Sequence, residues 1–204
     1  MKRIILIVLF FVSFFVLVAQ EIKFYDELDL ECTKEDVVNL LGEPDKEFDI
    51  KHKYSSIDNA IFYNNIPLAN YNAKLQISFS NGNFGYASYH LKIDKKLNYD
   101  GSVCIDNYYY TYIDFIKKLK VKYGEPEFCK LLDGYKEKQN SFAQSCWRDR
   151  LPIQTEFYDG KNKIQISFNC DKSDHINNYY VVITYFSNLY IKLHDAYINS
   201  TKGL

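Results

Sequence analysis

Proline and glycine are scarce in this chain, four and eight among 204 residues. That level excludes collagen-like and Pro/Gly-rich low-complexity chains, and it gives each occurrence a positional meaning. Neither charge dominates: 25 Lys and Arg stand against 26 Asp and Glu, a formal net charge of −1. This balance, with no basic stripe along the sequence, argues against a nucleic-acid partner. The five cysteines contain no CxxC pair, which removes the common structural zinc sites. Their odd number leaves at least one thiol free or joined to another chain. GxSxG, HExxH and the phosphate-binding glycine loop are all missing. No cysteine closes the N-terminal apolar run, so the usual route to a lipid-anchored bacterial envelope protein is shut.

What is present begins with that run. Lys2 and Arg3 precede apolar residues from Ile4 to Ala19, and polar Gln20 and Glu21 follow. This is the order of a secretory signal peptide over residues 1–20, cleaved on export. An uncleaved membrane anchor is the other reading, but the run is shorter than the roughly twenty residues a spanning helix needs. The expectation is an exported protein, periplasmic or secreted, with no stable membrane insertion after cleavage. The remaining length suffices for one large domain or two small ones. Aromatics are abundant, 19 Tyr and 15 Phe. Tyrosine joins a large ring to a polar tip and suits both sheet surfaces and protein contacts.

The scarce residues expose an internal repeat. Thr33 to Pro44, TKEDVVNLLGEP, aligns with Phe115 to Pro126, FIKKLKVKYGEP. Ala60 to Leu68, AIFYNNIPL, aligns with Ser145 to Ile153, SCWRDRLPI, so Pro67 meets Pro152 and Phe62 meets Trp147. Lys74 to Phe79, KLQISF, aligns with Lys163 to Phe168, KIQISF, differing only at Leu75 against Ile164. All four prolines fall into two matched pairs. Self-similarity of this kind points to a duplicated supersecondary unit.

Each unit reads as a helix followed by antiparallel strands. Thr33 is a good N-cap with Asp36 three residues on, and Val37, Leu40 and Leu41 form an apolar stripe. Tyr112, Phe115, Ile116, Leu119 and Tyr123 repeat that spacing. Gly42 and Gly124 then suit a left-handed helix stop, with Pro44 and Pro126 forbidding continuation. In KLQISF, Leu75, Ile77 and Phe79 alternate with Lys74, Gln76 and Ser78, giving one apolar and one polar face. Ser80 to Asn83, SNGN, makes a hairpin turn. The fold class is α+β, a tandem duplication of a helix plus antiparallel β-sheet unit. Residues 21–95 hold the first repeat, 96–110 a linker, and 111–204 the second repeat with a C-terminal tail that has room for a short helix.

A threonine-capped helix of the form TKEDVVNLLGEPD entering an antiparallel sheet resembles two related families. One is the small outer-membrane assembly proteins of the SmpA/OmlA type, with one such unit. The other is the secreted β-lactamase-inhibitor proteins, in which two units stand in tandem and present a concave protein-binding face. Tandem order, export signal and length look more like the second. Inhibitors of that family carry a disulfide in each unit. The resemblance implies a Cys129–Cys146 disulfide in the second unit, while Glu47 and Ile61 occupy the corresponding places in the first.

Three function classes follow. An enzyme would need catalytic groups converging from afar, since none of His52, His90, His175 and His194 sits in a nucleophile motif. Cys170, Asp171, Asp174 and His175 have metal-ligand types but read as a polar turn, so neither metal nor cofactor is expected. An envelope assembly or scaffold protein usually has a lipid anchor, for which the cysteine is missing. The favoured reading is a non-enzymatic module, inhibitor-like in design, that binds another protein through the polar face of two sheets. Its contact residues would be Gln76, Ser78, Tyr86, Ser88 and His90 in the first unit, and Gln165 and Ser167 in the second. Trp147 and Arg148 belong to the types that dominate interfaces, although the match of Trp147 with Phe62 also suits a core position.

Overall fold

The computed structural model describes residues 23–25, 28–50, 57–94, 96, 104–129, 153–171 and 178–201. Ten strands and three helices are described. The strands β1 (Lys23–Tyr25) and β2 (Leu28–Asp29) pair with each other only. Helix α1 (Lys34–Leu41) follows, then β3 (Lys46–Asp49), β4 (Asn59–Leu68), β5 (Tyr71–Ser80) and β6 (Asn83–Lys92). Helix α2 (Asp106–Tyr123) opens the second half, with β7 (Phe128–Cys129), β8 (Ile153–Tyr158), β9 (Lys163–Asp171) and β10 (Asn178–Phe186). Helix α3 (Asn188–Thr201) closes it. The class is mixed α+β, dominated by sheet. Helix α2 begins inside the span read as a linker, where Tyr108 and Tyr109 already belong to its buried stripe.

The sequence suggested a separate sheet for each repeat; in the structure the main strands of both halves share one. Eight strands run antiparallel in the order β3-β4-β5-β6-β10-β9-β8-β7. The joint is the β6–β10 pair, where His90 faces Val182, Ser88 faces Thr184 and Tyr86 faces Phe186. Both last strands of the halves would otherwise be edges with unpaired amides and carbonyls, and pairing them removes that exposure. The order reads the same from either edge: β3 with β7, β4 with β8, β5 with β9.

The registers correct one alignment drawn from sequence. Gln76 pairs with Phe62 across β4–β5, and Gln165 pairs with Glu156 across β8–β9. Counting from the matched glutamines, Glu156 and not Trp147 stands where Phe62 does. Glu47 likewise faces Ile61, whereas Cys129 faces Thr155. Pro67 lies beside the β4–β5 turn, opposite Asn72. Ile153, the neighbour of Pro152, lies at the other end of β8, opposite Phe168. Leu68, aligned with Ile153 from sequence, faces Tyr71 at the turn, so that alignment does not follow the registers, because a shared Ile/Leu-Pro-Leu/Ile string carries no information about distance from the turn.

Helix α1 starts as its sequence dictates. Asp36 N–H donates to Thr33 Oγ1 at 3.3 Å, and Thr33 N–H donates back to Asp36 Oδ2 at 2.8 Å. These bonds, the Thr33 N–H first and its hydroxyl second, hold the Asp36 carboxyl below its ordinary value. Of the expected stripe only Val37 is buried; Leu41 is half-buried and Leu40 is exposed. A helix of two turns reaches the sheet with one residue per turn at best. Gly42 and Gly124 both stop their helices with φ of 82° and 83°, but with ψ of −175° and −160°. That is not the left-handed helical region expected; it is a region essentially reserved for glycine. Their amides donate to Val38 O and Lys120 O, closing the last turns. At the β5–β6 hairpin Asn81 and Gly82 both take positive φ, 50° and 77°, as a two-residue turn between twisted strands requires.

The core lies between α2 and one face of the sheet. Tyr108, Tyr109, Tyr112, Phe115, Ile116 and Leu119 of α2 are buried. Beneath lie Ile164, Ile166 and Phe168 of β9, with Val181 and Ile183 of β10. Each such side chain contributes about 1.5–3 kcal/mol by leaving water. Much of the tyrosine excess is spent here. Tyr112 bonds Thr155 Oγ1 at 2.7 Å through its hydroxyl, both residues being fully buried. Burial drives the Tyr112 phenol far above its ordinary value, so it stays protonated.

Candidate functional site

The face of the sheet turned away from α2 carries the residues expected to meet a partner. Their geometry follows from register. One row crosses every strand: Lys46, Phe62, Gln76, Ser88, Thr184, Gln165, Glu156 and Phe128 are successive cross-strand partners. A second row holds Ser78, Tyr86, Phe186, Lys163 and Tyr158. A third holds Lys74, His90, Val182, Ser167 and Gln154. Alternation along each strand puts all of these on one side.

The structure brings Gln76, Ser78, Tyr86, Ser88, His90, Gln165 and Ser167 onto this single face, but not all of them reach solvent. Ser78 is fully buried and Ser88 is 8% exposed, so neither offers a free contact surface. Their side chains are the shortest in rows of longer ones. Gln76 Nε2 donates to both Ser78 Oγ and Tyr86 Oη, each at 3.3 Å, and so closes over Ser78. Ser88 is bonded to Thr184. Tyr86 is half-buried, because the rings of Phe186 and Tyr190 lie 6.1 and 5.1 Å from its own.

Tyr190 belongs to α3, which therefore packs on the polar face and not on the apolar one. Ser187 directs it there. Its hydroxyl donates to Phe84 O and Gly85 O at 2.9 Å while accepting from Tyr190 N–H at 3.2 Å, the position of a helix N-cap. Gly85 sits where the β5–β6 register shifts, since Ser78 faces Tyr86 but the next residue, Phe79, faces Phe84. The bulge turns the Gly85 carbonyl out of the ladder and makes it the docking point.

His90 remains exposed at the opposite end of β6, with Lys74 its cross-strand partner. Its ring lies close enough to the sheet to be desolvated; that burial first, and the Lys74 ammonium second, lower its pKa. Gln165 and Ser167 are half-buried. Gln165 donates to Glu156 Oε1 at 2.8 Å, and Ser167 Oγ accepts from Asn169 Nδ2 at 2.9 Å. Trp147, Arg148 and Cys146 lie outside the described residues, as do residues 1–22 and the Asp174 and His175 of the metal-type cluster. Cys129 carries a free, exposed thiol that accepts from Thr155 Oγ1 at 3.5 Å. The disulfide expectation thus concerns a partner outside the described residues.

Sequence reasoning missed the group around Glu156. Its carboxylate accepts from Gln165 and from Gln154 at 3.3 Å, from Tyr158 at 3.3 Å, and from Lys163 at 3.4 Å. Lys163 also stands 4.8 Å from the centre of the Phe186 ring. Burial first and the Glu156 charge second push the Tyr158 hydroxyl up to about 12. Four donors fix the Glu156 carboxylate as part of a rigid polar platform. The signal was available, because alternation in IQTEFY sets Gln154, Glu156 and Tyr158 on one side. Exposed aromatics flank the polar centre, with Phe48 at 52% on one edge, and Phe128 at 47% and Tyr158 at 37% on the other.

Among the described residues no three His, Cys, Asp or Glu side chains are placed to hold a metal ion, and no helix is long and apolar enough to cross a membrane. Compared with known proteins, the chain matches no family model, no curated protein and no solved structure.

Proposed function

We propose that this is an exported, non-enzymatic protein that binds another protein through the outer face of its sheet, and that it arose by tandem duplication of a helix-plus-four-strand unit. The observation carrying the binding reading is the cross-strand row through Gln76, Ser88, Thr184 and Gln165. Its centre is polar and hydrogen-bonded, and it is rimmed by exposed aromatics at both edges. Rigid rings beside ordered polar groups present contact area at low entropic cost. Phe48, Phe128 and Tyr158 therefore join Gln76, His90 and Gln165 as contact residues, while Ser78 and Ser88 serve the sheet itself.

The duplication is supported by the mirrored strand order, the equivalent third-from-edge positions of β5 and β9, and the matched φ and ψ at Gly42 and Gly124. It goes with the sequence resemblance of TKEDVVNLLGEPD to the tandem β-lactamase-inhibitor proteins. Export rests on the order of residues 1–20, and the non-enzymatic reading on the absence of a nucleophile motif in the sequence.

The test is affinity capture from envelope extract with the exported chain, followed by variants. Changing Gln76, His90 and Gln165 together to alanine should lower capture of the partner at least tenfold. The melting temperature should fall by only a few degrees, because His90 is exposed and the half-buried Gln76 and Gln165 each lose hydrogen bonds worth about 0.5–1.5 kcal/mol. Changing Ile77 or Ile166 to alanine should instead cost roughly 2–5 kcal/mol. Full capture by a folded triple variant, and by one that also lacks the Phe48 and Tyr158 rings, would show that the outer face is not the site.

A further inference from the structure

Away from the Gln76 to Gln165 row, an open cleft of about 740 Å³ lies where the β4–β5 turn and the end of β6 meet the first half of α2. Its volume is within the roughly 300–1,000 Å³ of small-molecule sites. Its lining differs from most such sites in being polar. Three amides converge on it, from Asn70 and Asn72 on one wall and Asn107 on the other. Asp94 and Asp114 add carboxylates, and Tyr110 stands at the cleft with half its surface exposed, 51%.

The charge balance narrows the ligand. Asp114 is ion-paired with Lys118 at 2.7 Å, and Lys92, whose ammonium donates to Asn65 Oδ1, adds a positive charge to the lining beside the negative one of Asp94. A near-neutral wall gives neither a phosphate nor a polycation an electrostatic reason to enter. An apolar ligand would strip water from amides and carboxylates without replacing their hydrogen bonds, at a cost of kilocalories per group. Hydroxyl groups suit this lining, because each donates and accepts at once, matching the mixed donors and acceptors of amides beside carboxylates. The Tyr110 ring offers a flat surface for the C–H face of a sugar ring. The floor is already held in place: Thr111 Oγ1 donates to Asn107 O at 2.7 Å and to Tyr71 Oη at 3.4 Å, and the Tyr71 ring rests 5.5 Å from that of Phe115. Little ordering cost remains to be met on binding.

We propose that this cleft binds a neutral oligosaccharide, with Tyr110 as the stacking surface and Asn72, Asp94 and Asn107 as the hydrogen-bonding groups. The site is independent of the protein-binding face. Calorimetric titration of the full chain with chitotriose, maltotriose and cellotriose, with tetralysine alongside, tests it. At least one trisaccharide should bind saturably in the millimolar range or tighter. Tyr110→Ala and Asn107→Ala should each weaken that binding tenfold or more, while Tyr110→Phe, which keeps the ring, should hold it within a few-fold. Gln76→Ala should leave it unchanged. Circular dichroism and thermal melting show which variants are folded, and Tyr110→Phe against Tyr110→Leu replaces the alanine comparison if that variant unfolds. No binding of any of the three sugars overturns the proposal. So does sugar binding indifferent to Tyr110 and Asn107, or tetralysine binding more tightly than every sugar.

Discussion

Ser88 Oγ lies 3.0 Å from Thr184 Oγ1, a buried hydrogen bond between residues 96 positions apart. It sits at the seam where β6 and β10 merge the two halves into one sheet. Thr184→Val keeps the shape but leaves the Ser88 hydroxyl buried without its partner, and should cost about 1–3 kcal/mol. The double change Ser88→Ala with Thr184→Val should cost less than the two single costs added, because no orphaned hydroxyl remains. Urea unfolding of the four species of this cycle measures the coupling.

Gly85 is required by space, not by backbone conformation. A Cβ there would lie 2.8 Å from Ile57 Cδ1 and 2.9 Å from the Ser78 carbonyl oxygen. The isoleucine tip can swing away, but the carbonyl belongs to the β5 backbone. Gly85→Ala should therefore destabilise by roughly 1–3 kcal/mol, and pairing it with Ile57→Val should recover only part. Gly42→Ala meets no atom within 4 Å, yet φ of +82° strains it by about 1–3 kcal/mol. Chemical denaturation of the three variants separates the two causes.

The cysteines should differ sharply in reactivity. Burial first, then the charges of Asp29 and Asp36, push the Cys32 thiol up to about 12, and the residue is 7% exposed. In reduced, folded protein at mildly alkaline pH a maleimide should label exposed Cys129 quickly and Cys32 only after unfolding. In oxidised exported protein, non-reducing peptide mapping should recover Cys129 joined to Cys146. A free Cys129 peptide from that material would sink the pairing.

Acid should weaken the fold in two steps. The folded pKa of His90 is lowered from 6.5, so below 6.5 the unfolded chain takes up its proton more readily. Stability is lost as pH falls from 6.5 through the folded value, and His90→Gln should flatten that part of the profile. Asp36 is lowered from 3.8 by its capping bonds. Its contribution is present above 3.8 and disappears as pH falls through the folded value, a second step that Asp36→Asn should abolish. Melting temperature against pH for the parent and both variants decides this.

Much of the local structure was legible in the residues because its causes lie within a few positions. Thr33 and Asp36 are three residues apart, so their reciprocal bonds need only the first turn of a helix. Asn81-Gly82 carries the positive φ its turn demands, and KLQISF sorts its own side chains by period two. The stripe from Tyr112 to Tyr123 named the buried face of α2 for the same reason. Which strand lies beside which was not written in any short stretch. The β6–β10 pairing depends on two segments nearly a hundred residues apart, and it decides that there is one sheet and that Ser88 meets Thr184 in the interior. Ser78 looks like any polar residue on an outward register until Gln76 and Tyr86 close over it. Matching proline strings placed Leu68 with Ile153, and only the paired registers showed these two at opposite ends of their strands. Exposure is a property of neighbours brought together by tertiary contacts, and for this reason the polar face could be foreseen from alternation, while the part of it left open beside α3 could not.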